Sequence, residues 1–410
     1  MLKSFIIEGL YGLFTYHLSF KQGVFIITGP NGFGKTTILR CINYTYKGEF
    51  WRFYFLKFKR ICLTFDNGSR IEINRKERAK DALFGEPENE INVKLIYTYS
   101  GVDEQFDVSL QYISRLARFQ IRRDGSKIEE YLDANYQMTE DDILLRSMPN
   151  MLRFLYEKRC NFVVSQRLVY GKTDSRGIQA GIAYSINDVN EYIRRTYQKA
   201  QNDFSKTAQS TDGSFIKRLS ERIKRQSIVA SDISASEMQQ RIMKYRKYHL
   251  IEEMNVDVAL PASYDTVKNL YLEDIKTKLA SLERYYELLS LFYQFVTGQG
   301  LSYKTIELSE VGITVKSNIG DDVPLSKLSS GEQNLMILAY HLIFESSRGD
   351  ILLVDEPENS LHMSWLEGLL DEYIRIARIT DTQVIIATHS PTFIGSRWDL
   401  TFDLFDNNKG

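Results

Sequence analysis

Cysteine is scarce: the 410 residues hold three, Cys41, Cys62 and Cys160, widely spaced and odd in number. Neither a disulfide framework nor a zinc-ligand spacing can be built from them, which fits a reducing cytoplasm. Long apolar runs are missing as well. The amino-terminal MLKSFIIEGLYG lacks the apolar stretch of a signal peptide, and no run of about 18 apolar residues occurs, so no membrane span is expected. An excess of one charge is also absent, because the formal net charge is -1. That balance neither demands nor excludes nucleic acid, since local patches decide such binding. Hydrophobic residues are plentiful at 43%, with 25 Tyr and 23 Phe among the chain's aromatics. The chain can therefore build one large core with an insertion, or two domains.

The apolar pattern predicts strands at Lys3–Glu8, Tyr16–Ser19 and the VFIIT run after Gly23. A loop over Gly29–Lys35 and a helix over Thr36–Tyr46 follow. Asp66-Asn67-Gly68 is a hairpin turn between strands Lys59–Phe65 and Arg70–Asn74. Ile91–Tyr99 and Phe106–Ile113 read as a further strand pair, and Asn161–Val164 as a short strand. The middle of the chain is helical in character. A helix is expected over Asp188–Phe204, interrupted by the polar stretch Ser205–Gly213, with a basic helical stretch Phe215–Met254 broken near Ser231–Ser236. Tyr264–Val296 carries an apolar stripe at helical spacing and predicts one helix roughly 50 Å long. Strands return after Gly300, then a turn-rich Leu325–Asn334, an apolar helix Leu335–Ser346, and buried strands at ILLV before Asp355 and at Gln383–Ala387. These readings place residues 1–175 and 300–410 in an α/β core with mixed sheets and residues 176–299 in a helical insertion.

Residues 29–36, GPNGFGKT, fit the phosphate-loop pattern, with an apolar strand before it and a helix after it. Gly29, Gly32 and Gly34 would let backbone N–H groups face phosphate oxygens, with Asn31 in the same loop. Lys35 can reach the β- and γ-phosphates, Thr36 can place its hydroxyl on Mg²⁺, and Thr37 opens the helix. ILLVDE at 351–356 supplies a buried strand with Asp355 at its end as a second Mg²⁺ holder. Glu356 is next to it, placed to orient or deprotonate the attacking water. A bland alternative makes Asp355-Glu356-Pro357-Glu358 a solvated acidic turn. His389, after the apolar VIIA, can bond to the γ-phosphate or to the water and sense hydrolysis. Gln166, after FVVS, is a candidate for coupling the nucleotide state to the insertion, and Arg167 is an equal occupant of that role.

Residues 328–333 read LSSGEQ, which resembles the signature of ABC-type ATPases. The likeness is strongest to the branch with structural-maintenance-of-chromosomes (SMC), recombination-repair and OLD-type proteins. Phosphate loop, signature, acidic strand end and histidine stand here in that family's order, as Gly29–Thr37, Leu328–Gln333, Asp355-Glu356 and His389. Ser360-Leu361-His362 falls where the family's dimer-contacting loop would be. The resemblance implies an ABC-type P-loop ATPase head with a short coiled-coil-like arm, ATP and Mg²⁺ as its ligands, and a homodimer of heads within a possible higher oligomer. It implies that Ser329, Gly331 and Glu332 meet the nucleotide held by Lys35 of the opposite copy. The wording SSGEQ, DEPENSLH and ATHSP is similar to stand-alone bacterial anti-phage ATPases of the PARIS, Septu or retron-associated kind. That likeness implies a cytoplasmic sensor and motor working beside a separately encoded effector, such as a TOPRIM or HNH nuclease. The chain ends at residue 410, shortly after His389, and no nuclease motif appears in the insertion, so any cutting is expected of a partner.

Between Ser214 and Met254 there are nine Lys or Arg against five Asp or Glu, densest at Lys217, Arg218, Arg222, Lys224 and Arg225. This stretch could attract DNA or an acidic phage protein as a trigger, or could be a solvated helix without a ligand. WRFYFLKFKR at 51–60 reads as core packing rather than a stacking platform. Besides the defence role, two functions stay open. One is a DNA-repair or chromosome-handling ATPase with DNA-stimulated hydrolysis, and the other is a transporter motor with a separate membrane subunit.

Overall fold

The computed structural model describes residues 1–79, 89–116, 143–173, 179–225, 235–252, 254, 264–298, 301, 303–346 and 348–408. They form two compact units. One comprises Met1–Arg167, Gly171–Ile182 and Phe344–Gly410; the other comprises Leu168–Tyr170 and Ala183–Ile343. Residues 304–343, grouped from the sequence with 300–410, thus cluster with the helices.

In the first unit, six antiparallel strands lie in the order β2–β1–β4–β5–β6–β7. They are β1 (Leu2–Leu10), β2 (Phe14–Ser19), β4 (Arg60–Phe65), β5 (Arg70–Ala79), β6 (Asn89–Tyr99) and β7 (Val102–Val108). Side chains alternate across such strands, so Ile71 and Ile73 are buried while Glu72 sits on the other face. There Arg60 donates to Glu8 at 3.0 Å and to Glu72 at 3.0 Å, a cross-strand charge ladder. The Asp66-Asn67-Gly68 turn forms as expected. Asn67 Oδ1 accepts from Ser69 N at 3.1 Å, and Gly68 takes a φ of 80° that only glycine adopts freely. The strand expected over Phe106–Ile113 ends at Val108. A helix Leu110–Leu116 begins there because Ser109 Oγ accepts from Tyr112 N and caps it.

The second sheet has order β15–β3–β14–β13–β8. Its strands are β3 (Val24–Thr28), β8 (Cys160–Val163), β13 (Ile351–Asp355), β14 (Gln383–Ala387) and β15 (Thr401–Asp403), every pair parallel. All five positions of β13 and of β14 are buried, as expected where both faces of a parallel sheet are covered. The helix Lys35–Tyr46 buries Ile38, Leu39, Cys41 and Ile42 in a core that takes residues from both sheets, among them Phe5, Ile61, Leu353 and Ile385. In the 51–60 stretch, Trp51, Phe53 and Phe58 are buried, and the Arg52 guanidinium lies 4.4 Å from the Trp51 ring, so that stretch is core. The ribbon of β9 (Val169–Thr173) and β10 (Gln179–Tyr184) is shared out between the two units along the chain.

In the second unit, helices Ser185–Arg225, Ala235–Lys247, Asp265–Ala280, Glu283–Gly298 and Ser330–Phe344 accompany the hairpin β11 (Lys304–Ser309)–β12 (Gly312–Ser317). Two sequence expectations are corrected here. The helix Ser185–Arg225 runs unbroken through Ser205–Gly213. Hydroxyls there donate to carbonyls four residues back, Thr207 to Asp203 at 2.8 Å, Thr211 to Thr207 at 2.9 Å and Ser214 to Ser210 at 2.8 Å. The polar groups are thereby satisfied inside the helix and do not end it. The single helix expected over Tyr264–Val296 is two, parted at Ser281-Leu282. At the break Leu282 N donates to the Leu279 carbonyl at 2.9 Å, three residues back instead of four, so the chain tightens there and the helical ladder ends. Of the break expected at Ser231–Ser236, residues 231–234 lie outside the described residues, and helix resumes at Ala235. The α/β class with mixed sheets and a helical insertion holds. Among the described residues no helix is long and apolar enough to cross a membrane.

Candidate active site

Ligands of open parallel sheets collect at the carboxyl ends of the strands. In the first unit the register aligns Asp355 with Ala387 and Ala387 with Ile27. Three ends therefore lie side by side, and each leads into a segment singled out from the sequence. After β3, Gly29, Gly32 and Gly34 have φ of 141°, 85° and 92°. Gly34 also lacks room: an added Cβ would lie 2.7 Å from Leu10 Cδ2. Asn31 is exposed at the bend. Tyr16 Oη donates to the Phe33 carbonyl at 2.9 Å, and Phe33 packs on Phe14, so the loop is buttressed from below.

Lys35 is buried, and its ammonium donates to the Gly29 and Pro30 carbonyls at 2.7 and 3.1 Å. Burial lowers its pKa, although the Glu356, Asp355 and Glu358 carboxylates oppose that shift. Thr36 Oγ1 donates to both oxygens of Asp355, at 3.0 and 3.1 Å. Burial raises the Asp355 pKa, with the Thr36 bond opposing and the Glu356 charge adding to the rise. Thr37 Oγ1 shares a 2.6 Å hydrogen bond with Tyr11 Oη.

Glu356 follows with φ 47°, a left-handed backbone uncommon outside glycine, and its N–H donates to the Ala387 carbonyl at 2.8 Å. This twist turns its side chain toward β14's end, where Glu356 Oε1 lies 3.6 Å from His389 Nδ1. Asn359 Nδ2 donates to Glu356 Oε2 at 2.8 Å. Glu358 is not the solvated residue of an acidic turn: it is buried, and its Oε1 accepts from Thr388 Oγ1 at 2.5 Å and from His389 N at 3.2 Å. Ser390 caps the short helix Pro391–Ile394 by accepting from Phe393 N, which fixes the far side of the Thr388-His389 segment.

The two candidates at β8's end differ in placement. Gln166 is exposed. Arg167 is buried, and its guanidinium donates to the Pro357 carbonyl at 3.0 Å and, at 3.4 Å each, to those of Glu356 and Asn359. Arg167 thus clamps the turn that carries Glu356.

The LSSGEQ segment lies in the second unit. Ser329 and Glu332 form a capping box at the start of the helix Ser330–Phe344. Ser329 N and Oγ donate to Glu332 Oε2 at 2.8 and 2.9 Å, and Glu332 N donates back to Ser329 Oγ at 3.3 Å. Glu332 is buried and receives Lys304 Nζ at 2.7 and 2.9 Å. Burial pushes its pKa up, but the Lys304 and Ser329 bonds outweigh burial and the net shift is down. Gly331 is buried, while Ser329 and Ser330 are exposed.

Left-handed glycines around a lysine are the donor set that a polyphosphate requires. Thr36 and Asp355, already in contact, could hold Mg²⁺, which when bound would neutralise phosphate charge. The residues therefore fit both groups. Glu358, Asn359, Lys304 and Tyr11 were not identified as site residues from the sequence. Only Glu358 had a signal, as the second acid two residues after Glu356.

A parallel sheet with a phosphate loop and an acidic strand end side by side defines a P-loop nucleotide-binding protein. Residues 1–394 match the model of the AAA ATPase domain family. The chain belongs to that family and is an ATPase. Among solved structures it is similar to an Smc head domain from Pyrococcus furiosus, which carries an extended coiled coil and is bound to the C-terminal domain of ScpA. That match is 15% identical and covers 96% of this chain and 90% of that chain, with a TM-score of 0.40. A second similar structure, an Smc head bound to the C-winged helix domain of ScpA, is 13% identical over 96% of this chain and 91% of that chain, with a TM-score of 0.37. No curated protein matches the chain.

Proposed function

We propose that the chain is an ABC-type ATPase head whose hydrolysis requires two copies, and that it works as the sensor and motor of an anti-phage system controlling a separately encoded effector. The observation that carries the hydrolytic site is the gathering of Lys35, Thr36–Asp355, Glu356 and His389 at three adjacent strand ends, while the need for a second copy rests on the LSSGEQ signature. Lys35 binds the β- and γ-phosphates and leaves its two carbonyl partners to do so. Glu356 orients the attacking water and takes its proton, held by Asn359 and by the Arg167 clamp. His389, facing Glu356, meets the γ-phosphate or the water and registers its departure. Ser329, whose hydroxyl leaves Glu332 to do so, and the Gly331 N–H, at the start of a capped helix, supply donors to the γ-phosphate held by a second copy. The products are ADP and phosphate.

The defence role rests on the wording SSGEQ, DEPENSLH and ATHSP. A DNA trigger taken directly by the basic helix has less support: Arg218 pairs with Asp274 at 2.6 Å and Arg222 with Glu273 at 2.5 Å, while Lys217 and Lys224 stay exposed. The test combines phosphate release and solution mass, with and without ATP, with phage challenge of cells carrying the gene and its neighbours. ATP-dependent doubling of mass and protection lost in Lys35→Ala and Glu356→Gln are expected. Hydrolysis at single-copy mass would overturn the paired site. Absence of protection, together with DNA-stimulated turnover that weakens with salt, would replace the defence role by chromosome handling.

A further inference from the structure

The buried carboxylate of Glu358 is more than a member of a tight turn. Its neighbours in sequence, Glu356 and Asn359, belong to the loop after β13, while its bonds go to the loop after β14. One oxygen, Oε1, takes the Thr388 hydroxyl at 2.5 Å and the His389 N–H at 3.2 Å, and lies 3.5 Å from His389 Nδ1. Thr388 Oγ1 in turn accepts from Ser390 N at 3.0 Å, so consecutive residues of the THS segment are tied to this one atom. The other oxygen, Oε2, is buried and accepts no hydrogen bond. The Glu358 charge lies among those of the site, close enough to help raise the Asp355 pKa and to oppose the lowering of Arg167's and Lys35's, but charge balance alone does not need its bonds to Thr388 and His389 N. Its geometry serves another end: it fixes the backbone of His389 against the loop that carries Glu356, and Arg167 holds that loop from its carbonyl side.

We propose that Glu358 is a positioning residue for hydrolysis, joining the two loops so that the Glu356 carboxylate and the His389 ring keep one mutual placement. It acts through Thr388 and His389 and touches no reacting atom. The proposal rests on the assignment of Glu356 and His389 given above.

The experiment is a double-mutant cycle read in kcat, KM for ATP and melting temperature. If the wild type hydrolyses ATP and Glu356→Gln does not, the underlying assignment stands, and the Glu358 results then bear on the link alone. Glu358→Ala should lower kcat about tenfold or more with KM changed less than about threefold. Glu358→Gln keeps an oxygen for Thr388 and His389 N, so it should retain kcat within about threefold and melt no lower than the wild type. In a His389→Ala background, Glu358→Ala should cost less than about twofold further, the signature of a residue acting through another. Thr388→Val cuts the same link from its other side and leaves the Glu358 side chain in place, and it too should be non-additive with His389→Ala, so the idea stays open to refutation if Glu358→Ala does not fold. Full activity of Glu358→Ala, or losses that multiply independently in the cycle, would overturn the proposal.

Discussion

The phosphate loop and the LSSGEQ turn each open into a helix, yet they commit their polar groups in opposite ways. Around Lys35 the backbone is bent by left-handed glycines, and its cation rests on two carbonyls. Around Ser329 the donors are already answered by a carboxylate of the same turn, Glu332, which Lys304 neutralises. The first is shaped to receive an anion. The second carries its own anion and closes its polar groups on itself. A loop can thus be preorganised for phosphate by what it leaves open or by what it closes, and only the former is conspicuous in a motif.

The largest effects should fall on the open side. Glu356→Gln should bind ATP and lower phosphate release on the order of 10³-fold while holding paired heads together, measured by steady-state turnover and light scattering. Rapid turnover would remove Glu356 from its role. Next, Lys35→Ala and Ser329→Ala chains, each inactive alone, should regain turnover when mixed, because one composite site survives. Proven mixed pairs without activity would break the complementarity of the two turns. Third, Arg167→Ala should cost about 2 kcal/mol or more in unfolding free energy, since it strands buried carbonyls, whereas Gln166→Ala should stay within about 0.5 kcal/mol. Equal effects would undo the assignment of the clamp.

The smallest effect concerns the closed side and pH. Glu332 has its pKa lowered from an ordinary value of 4.5 in the folded state. Its ion pair and capping bonds therefore stabilise the fold fully above that value, and the contribution fades as pH falls through the depressed folded pKa. The melting-temperature gap between the wild type and Glu332→Gln should be constant near neutrality and shrink on acidification below about pH 4.5. A gap unchanged by acid would mean that the carboxylate's charge contributes nothing there.

Much of this was legible because it depended on local pattern. GPNGFGKT between an apolar strand and a helix, ILLV before Asp355, and Asp66-Asn67-Gly68 all carry their meaning within a few residues. The misses came where one hydrogen bond outvoted a pattern. Ser109 capped a helix where alternation suggested more strand, the back-bonded Thr207 and Thr211 kept a polar stretch helical, and a tightened turn at Leu282 parted a stripe that looked continuous. Gln166 and Arg167 were indistinguishable from the sequence because both lie in the loop after Val163, where no periodicity says which side chain turns inward to the Glu356 turn. Glu358 shows the same limit from the other direction. Its acidity was visible, but its burial depends on Thr388 and His389, about thirty residues away in the chain.

The pairing of helix Ser185–Arg225 with helix Asp265–Ala280 carries a mechanical consequence. Lys278 meets Asp212, Arg218 meets Asp274 and Arg222 meets Glu273, so three teeth engage in order along antiparallel rods. The middle tooth, Asp274, is buried and held by both terminal nitrogens of Arg218, at 2.6 and 2.8 Å, so any slide must first part that pair. The rods are keyed like a shaft in its slot, and a slide in either direction must break all three teeth together.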